Sequence, residues 1–169
     1  YIRKASIIVD QMSCFSSVNV DSIRIHDVGD VEVIYDNLQA TMNALESIVL
    51  QVINDEKVPI IIGGEHTALL PIIKAVKRAY NIVNVIVFDA HMDFYFEWPK
   101  GSRITYATVI RRIYEELGDD RISLIGVRAY NEDEVNDLSN CKINVLYMSD
   151  LSAKLEEFIN KLPKENIYI

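Results

Sequence analysis

Three side chains that could bind a metal ion follow one another closely in the middle of the chain. Asp89, His91 and Asp93 occupy alternate positions directly after the apolar run over residues 85–88, whose composition is typical of a buried strand. Alternate residues of an extended chain point to the same side, whereas a helix would direct the middle one away from the other two. The spacing therefore predicts two carboxylates and an imidazole gathered at one edge of a sheet.

A second apolar run, over residues 58–62, ends in a similar way. It leads into Gly63-Gly64-Glu65-His66-Thr67, where the two glycines allow a sharp turn and a close approach of the backbone. If both runs are neighbouring parallel strands, His66 would meet the other ligands at the carboxyl ends of the strands. Open α/β sheets place their binding sites there.

These four candidate ligands offer only nitrogen and oxygen atoms, a set that suits Mn, Zn, Fe or Ni. Such a set can hold two divalent ions about 3.5–4 Å apart, whose shared water readily becomes a nucleophile near neutral pH. An aspartate after a strand can also form a turn, and a histidine can cap a helix or sit in a core. The combined spacing favours the metal site over these readings.

The rest of the chain alternates between strand and helix patterns. Strands are predicted over residues 23–28, 58–62, 84–89, 122–127 and 143–147, with another beginning at Ile167. Helices are predicted over residues 2–13, 37–55, 67–80, 106–117, 131–138 and 149–162. This order predicts an α/β domain over residues 1–169, with a parallel sheet covered by helices on both faces. Both ends of the sequence are abrupt, and the chain stops inside a predicted strand. We therefore expect its N-terminal start and a C-terminal part to be missing.

Composition limits the classes of partner. A net charge of −8 would repel nucleic acid and anionic membranes, and it slightly favours a cationic substrate. No apolar run reaches the roughly 18 residues that a membrane span needs, and no signal peptide is evident, so a cytoplasmic location is expected. Cys14 and Cys141 have no pairing motif and are expected to be thiols.

Gly63-Gly64-Glu65-His66-Thr67 and Asp89-Ala90-His91-Met92-Asp93 resemble the first two signature motifs of the ureohydrolase family, which includes arginase, agmatinase and formimidoylglutamase. Segments 25–30, 108–113 and 125–128 are similar to agmatinase-like members, especially archaeal ones. The resemblance implies a three-layer α/β/α fold of the arginase type, with a mostly parallel central sheet and two Mn²⁺ ions. By matching positions, His66 and Asp93 would bind one ion, His91 would bind the other, and Asp89 would bridge both.

The resemblance also implies an activity and an assembly. The family hydrolyses guanidino or amidino C–N bonds of small cationic substrates, releasing urea through a metal-bridging hydroxide, and its members usually form trimers or hexamers. A third motif, Ser-x-Asp-x-Asp, would follow the strand that begins at Ile167 and supply two more ligands. The sequence ends before that motif, so the chain as given should bind divalent ions weakly.

Tyr106 departs from the family pattern, because it stands where agmatinase-like members carry a proton-relay histidine. A phenol cannot relay protons at neutral pH as an imidazole can. Two other hypotheses therefore stay open beside the hydrolase. The protein could be a catalytically impaired metal-binding relative or a non-enzymatic assembly partner. A deacetylase-like hydrolase with a single zinc is a weaker alternative, because the paired motifs argue against it.

Four further features have expected roles. The aromatic loop over residues 94–105 would either wall a substrate pocket or pack at the sheet rim or a subunit contact. Glu65 is expected to cap a helix or support the ligands. Arg111 and Arg112 are expected to form structural ion pairs, and residues 131–137 a solvated acidic helix face.

Overall fold

The computed structural model describes residues 2–8, 12 and 15–169, which belong to two compact units, Tyr1–Asp30 and Val31–Ile169. In the larger unit, four parallel strands form one sheet in the order β3-β2-β1-β4. The strands are β1 Asn84–Phe88, β2 Ile122–Val127, β3 Asn144–Tyr147 and β4 Ile167–Tyr168. The predicted parallel sheet is confirmed at these four positions, while the prediction of a single domain stays a prediction.

Helices separate the strands, as the apolar spacing predicts. They are α1 Ile2–Ala5, α2 Leu38–Asn54, α3 Leu69–Tyr80, α4 Val109–Leu117, α5 Glu132–Leu138 and α6 Leu151–Lys161. Short 3-10 turns at His66–Ala68 and Tyr106–Thr108 lead into α3 and α4. Asn37 begins α2, because its side-chain oxygen accepts the Ala40 N–H at 3.0 Å. Within the described part of the chain, no helix has the length and apolar character needed to cross a membrane.

The sheet buries apolar side chains on both faces. On one face, Val85 and Leu124 belong to the same buried cluster as Ile73 of α3 and Ile110 of α4. A separate cluster on the other face is made by Ile86, Ile125 and Leu146, with Leu151, Phe158 and Leu162 packed against it. Full burial of such a side chain contributes about 1.5–3 kcal/mol, so the packing of both faces holds the strand ends in place. This arrangement is the predicted layering of helices on either side of a sheet.

The predicted strand over residues 58–62 is wrong. This segment has no regular secondary structure, and Val58, Ile60 and Ile62 are 85%, 82% and 69% exposed. Only alternate residues face inward, as Ile61 does where it packs against the main core. The alternation is that of a strand, but a strand also needs a hydrogen-bonded neighbour, and none of the described residues pairs with this segment.

The smaller unit differs from the sequence prediction in two places. The predicted helix over residues 2–13 is reduced to α1 and a 3-10 turn over Ser6–Ile8, while residues 9–11 and 13 lie outside the described residues. The predicted strand over residues 23–28 is wrong, because the segment is irregular and finds no partner among the described residues. Ion pairs hold this unit's chain instead, since the Arg3 guanidinium contacts Asp27 at 2.5 Å and Asp30 at 3.1 Å.

A bulge in β2 shapes the edge of the sheet where β1 ends. The pairing register between β2 and β3 shifts between Ile125 and Val127, and Gly126 between them has a φ of +93°. The Asp89 N–H donates to the Ile125 carbonyl at 3.2 Å. The N–H groups of Arg128 and Ala129 donate to the Ala90 carbonyl. The segment that carries the candidate ligands is therefore tied directly to the end of β2.

Candidate metal centre

His66, Asp89 and Asp93 form a compact group in which one ligand atom from each lies within 4.8 Å of the others. The Nδ1 atom of His66 is 2.8 Å from Asp93 Oδ2 and 3.6 Å from Asp89 Oδ2. Both carboxylates thus lie beside the same imidazole nitrogen, and the one of Asp93 is hydrogen-bonded to it. A set of nitrogen and oxygen donors at this spacing fits a divalent ion such as Mn²⁺ or Zn²⁺.

Local sequence explains how each of these side chains is placed. Asp89 directly follows β1, and His66 opens the 3-10 turn before α3. Glu65 begins that turn, because its carboxylate accepts the Thr67 N–H at 3.1 Å, which confirms the predicted capping role. Asp93 has a φ of +49°, an unfavourable conformation for a non-glycine residue that the surrounding structure must enforce.

The carboxylate of Asp93 determines the protonation of His66. Its hydrogen bond raises the pKa of the imidazole above the ordinary value, with a smaller opposing effect from burial. In the metal-free protein, a protonated His66 places a positive charge between two carboxylates. A divalent ion must displace that proton to bind there, so metal affinity should rise with pH.

His91 lies beside this group without joining it. Its side chain is 65% exposed, and its Nδ1 atom is 3.4 Å from Asp89 Oδ1. The same carboxylate oxygen accepts the His91 backbone N–H at 2.8 Å. Alternate spacing therefore brings together Asp89 and Asp93 as predicted, whereas the imidazole between them stays near the mouth of the site.

A cavity of about 650 Å³ opens onto the three grouped side chains. Its lining includes four carboxylates and four aromatic rings: Glu65, Asp89, Asp93, Glu134, Tyr95, Trp98, Tyr106 and Tyr130. No lysine or arginine is among the described residues that line it. An excess of negative charge in a cleft raises the local concentration of cations, so this cavity favours a metal ion and a positively charged ligand.

The aromatic loop contributes to both the core and the wall of the cavity, and its role toward a substrate or a subunit stays a prediction. Phe94 is fully buried, with its ring edge toward the Tyr114 ring at a centroid distance of 5.8 Å. The Tyr95 and Trp98 rings lie 5.1 Å apart and line the cavity. The Tyr95 hydroxyl accepts a hydrogen bond from the Asn131 side chain at 2.7 Å, which fixes this wall. Part of the loop therefore belongs to the core and part to the pocket.

Tyr106, the candidate at the proton-relay position, lines the cavity and is 55% exposed. It is held by the turn that precedes α4, where the Thr105 N–H donates to the hydroxyl of the fully buried Thr108 at 2.9 Å. The phenol is thus presented to the same space as His66, and its part in proton transfer stays a prediction.

Glu134 is a residue of this site that the sequence analysis missed. The expectation of a solvated acidic helix face is wrong at this position, because Glu134 is only 3% exposed. Its carboxylate accepts the backbone N–H groups of Phe94 at 2.9 Å and of Asn131 at 3.1 Å. Burial raises the pKa of this carboxyl. The spacing Asn131-x-x-Glu134 is that of a capping box, and this signal could have identified a carboxylate turned back toward the chain.

Other expected roles concern the support of the fold. Arg111 pairs with Asp137 at 2.7 Å and Arg112 with Glu115 at 2.9 Å, as predicted for structural ion pairs. Cys141 is a free thiol, and Cys14 lies outside the described residues.

Comparison with known proteins finds similarity to the arginase family along the whole chain. The profile of the arginase family matches residues 1–169. The agmatinase of Halalkalibacterium halodurans is 29% identical over 170 residues, which cover 99% of this chain and 57% of that protein. The chain thus spans a little over half the length of this relative.

Solved structures show the same fold. The agmatine ureohydrolase of Thermoplasma volcanium superposes with a TM-score of 0.86 at 27% identity, covering 99% of this chain and 57% of that one. A formiminoglutamase from Trypanosoma cruzi, solved with Mn²⁺, has a TM-score of 0.79 at 22% identity, covering 93% of this chain and 55% of its own. At that identity the second likeness concerns the fold alone.

Proposed function

Since the chain belongs to the arginase family, we propose that the full-length protein is a metal-dependent hydrolase that cleaves guanidino or amidino C–N bonds and releases urea. One observation carries the proposal. His66, Asp89 and Asp93 converge within 4.8 Å in a cavity whose described lining has four carboxylates and no basic side chain other than histidine. The site is therefore suited to hold cations, first a metal and then a cationic substrate.

The resident group we propose is a pair of divalent ions, and Mn²⁺ is the ion in the Trypanosoma cruzi formiminoglutamase. When bound, two such ions lower the pKa of water and supply a nucleophile near neutral pH. In this chain His66, Asp89 and Asp93 would hold the ions. His91 would join them, since its ring nitrogen is already 3.4 Å from Asp89.

The cavity supports a small cationic guanidino compound as the substrate. A planar guanidinium is attracted by carboxylates and stacks on aromatic faces. Tyr95 and Trp98 offer such faces on one wall, and Glu134 and Glu65 add negative charge to the lining. The side chains that line the cavity would thus bind and orient the substrate, and Tyr106, which lines the same cavity, is the candidate to exchange a proton with it.

The test uses the full-length protein loaded with Mn²⁺ and measures urea release from agmatine, arginine and guanidinobutyrate, with formamide release from formimidoylglutamate as a further arm. Asp89→Asn should lose both tightly bound Mn²⁺ and turnover. Asp120→Asn is the matched control, because this aspartate is exposed, pairs only loosely with Lys142 at 3.8 Å, and has a left-handed backbone that asparagine tolerates. We expect the control to behave like the wild type.

Two outcomes separate the alternatives. Mn²⁺ retained by Asp93 and its neighbours without release of urea or formamide from any compound would favour the catalytically impaired relative, for which Tyr106 is the motivation. Failure of the full-length protein to bind Mn²⁺ would refute the proposal itself.

A further inference from the structure

Glu134 is a buried acid whose part in the proposed chemistry is so far only the negative charge that it adds to the lining of the cavity. It is 3% exposed, while Glu132 and Asp133 beside it on α5 are exposed. A buried carboxylate is unfavourable unless hydrogen bonds compensate for the lost water. Both of its oxygens have such a bond, one from the Phe94 N–H at 2.9 Å and one from the Asn131 N–H at 3.1 Å. The side chain therefore connects two segments that are 40 residues apart in sequence.

The first of these segments carries a candidate metal ligand. Phe94 follows Asp93, whose φ of +49° is unfavourable and whose carboxylate lies 2.8 Å from His66. The turn is also fastened on its other side, because the Asp93 carbonyl accepts the Ile110 N–H at 3.1 Å. Glu134 accepts the Phe94 N–H, which belongs to the same peptide group as the Asp93 carbonyl. The turn is thus held from two helices, α4 and α5.

We propose that Glu134 is a positioning residue that holds Asp93 in its metal-binding orientation by accepting the N–H of the next residue. This inference rests on the proposed function, since it assumes that Asp93 binds a metal ion. Phe94 is fully buried, so without Glu134 its N–H would lose the acceptor that the surrounding protein provides. The peptide between Asp93 and Phe94 would rotate to find another acceptor, and the Asp93 carboxylate would turn with it.

The experiment measures Mn²⁺ affinity by titration calorimetry and Mn²⁺ electron paramagnetic resonance, together with the thermal midpoint of the metal-free protein, in full-length variants. Removing a partner that orients a metal ligand typically weakens metal binding about 10–100-fold. We expect Glu134→Ala to fall in that range. Glu134→Gln keeps one oxygen that can accept the Phe94 N–H, while its NH2 group would replace the acceptor of the Asn131 N–H, so it should retain more of the affinity than Glu134→Ala.

Asn37→Ala is the matched control for loss of stability. Its side chain also caps a helix, accepting the Ala40 N–H at 3.0 Å, but it begins α2 and is not among the residues that line the cavity. We expect a lower thermal midpoint with unchanged Mn²⁺ affinity. If Asn37→Ala weakens Mn²⁺ binding as much as Glu134→Ala, the effect is general destabilisation and the inference is wrong.

Three further results would overturn the inference in distinguishable ways. Wild-type Mn²⁺ affinity in Glu134→Ala would show that Asp93 needs no such support. Equal losses in Glu134→Gln and Glu134→Ala would show that a hydrogen bond accepted from the Phe94 N–H is not what holds Asp93. If the wild type binds no Mn²⁺, the proposed function fails together with this role, whereas the first two results leave that function intact.

Discussion

Gly126 provides a test of how the bulge in β2 supports the candidate metal centre. Its φ of +93° lies where residues with a Cβ atom are strained, and a Cβ added there would lie 3.5 Å from the Asp89 carbonyl oxygen. That distance is an ordinary van der Waals contact, so the backbone conformation and not a collision determines the cost of Gly126→Ala. Holding alanine in such a conformation lowers the free energy of unfolding by about 1–3 kcal/mol. In a chain of this size each kcal/mol lowers the thermal midpoint by about 2–4 °C.

Gly118→Ala is the control for this strain. Gly118 follows α4 with a φ of +81°, and no atom lies within 4 Å of its added Cβ. We expect both variants to lose similar stability, measured by circular dichroism on heating. Only Gly126→Ala should also weaken Mn²⁺ binding, by about tenfold at the lower end of the effect of supporting residues.

The reason is that the strain at Gly126 is relieved most easily by flattening the bulge. The Asp89 N–H donates to the Ile125 carbonyl within that bulge, so Asp89 would move with it. An unchanged thermal midpoint in Gly126→Ala would refute the conformational argument. Equal Mn²⁺ affinity in Gly126→Ala and Gly118→Ala would refute the link between the bulge and Asp89.

Three more predictions concern the site and the core. In the full-length protein, Tyr106→His should raise turnover of the best guanidino substrate by about 10²-fold or more, because general acid–base assistance has that effect. Tyr130→His, in the lining of the same cavity, should not raise it, and equal effects of the two substitutions would contradict the relay argument. In the metal-free protein, NMR titration of His66 should give a pKa above the ordinary 6.5, and Asp93→Asn should lower the pKa of His66. The stability that the His66–Asp93 pair contributes is fully present below pH 6.5 and is lost as the pH rises through the raised pKa. Ile73→Ala, at a fully buried position, should cost about 2–5 kcal/mol in urea unfolding, and a loss well below that range would contradict the packing of the core.

The sequence by itself determined the elements whose stability is local or whose burial is complete. Apolar spacing and the capping Asn37 fix α2, since the helix closes its hydrogen bonds within its own residues. The continuous apolar runs of β1 and β2 predicted strands buried between two layers, and the structure buries both strands there. The same reasoning placed Asp89 and Asp93 on one side of the chain at the sheet edge.

Pairing and burial were decided only by the tertiary structure. The segment over residues 23–28 alternates and that over residues 58–62 is a continuous apolar run, and both patterns are typical of strands. A strand also needs the hydrogen bonds of a neighbour, and sequence spacing cannot supply one. Glu134 looked like one more solvated acid on a short helix, but the distant Phe94 N–H and the nearby Asn131 N–H both donate to its carboxylate and hold it inward.

In the candidate metal centre, too, the sequence determines some features and only the tertiary structure determines the others. Residue types and alternation selected the ligands, because side chains on an extended chain point to one side whatever the fold. The left-handed backbone of Asp93, which brings its carboxylate to His66, depends on contacts with α4 and α5. A conformation that is unfavourable locally persists only where the surrounding structure enforces it, and no local pattern in the sequence can show that.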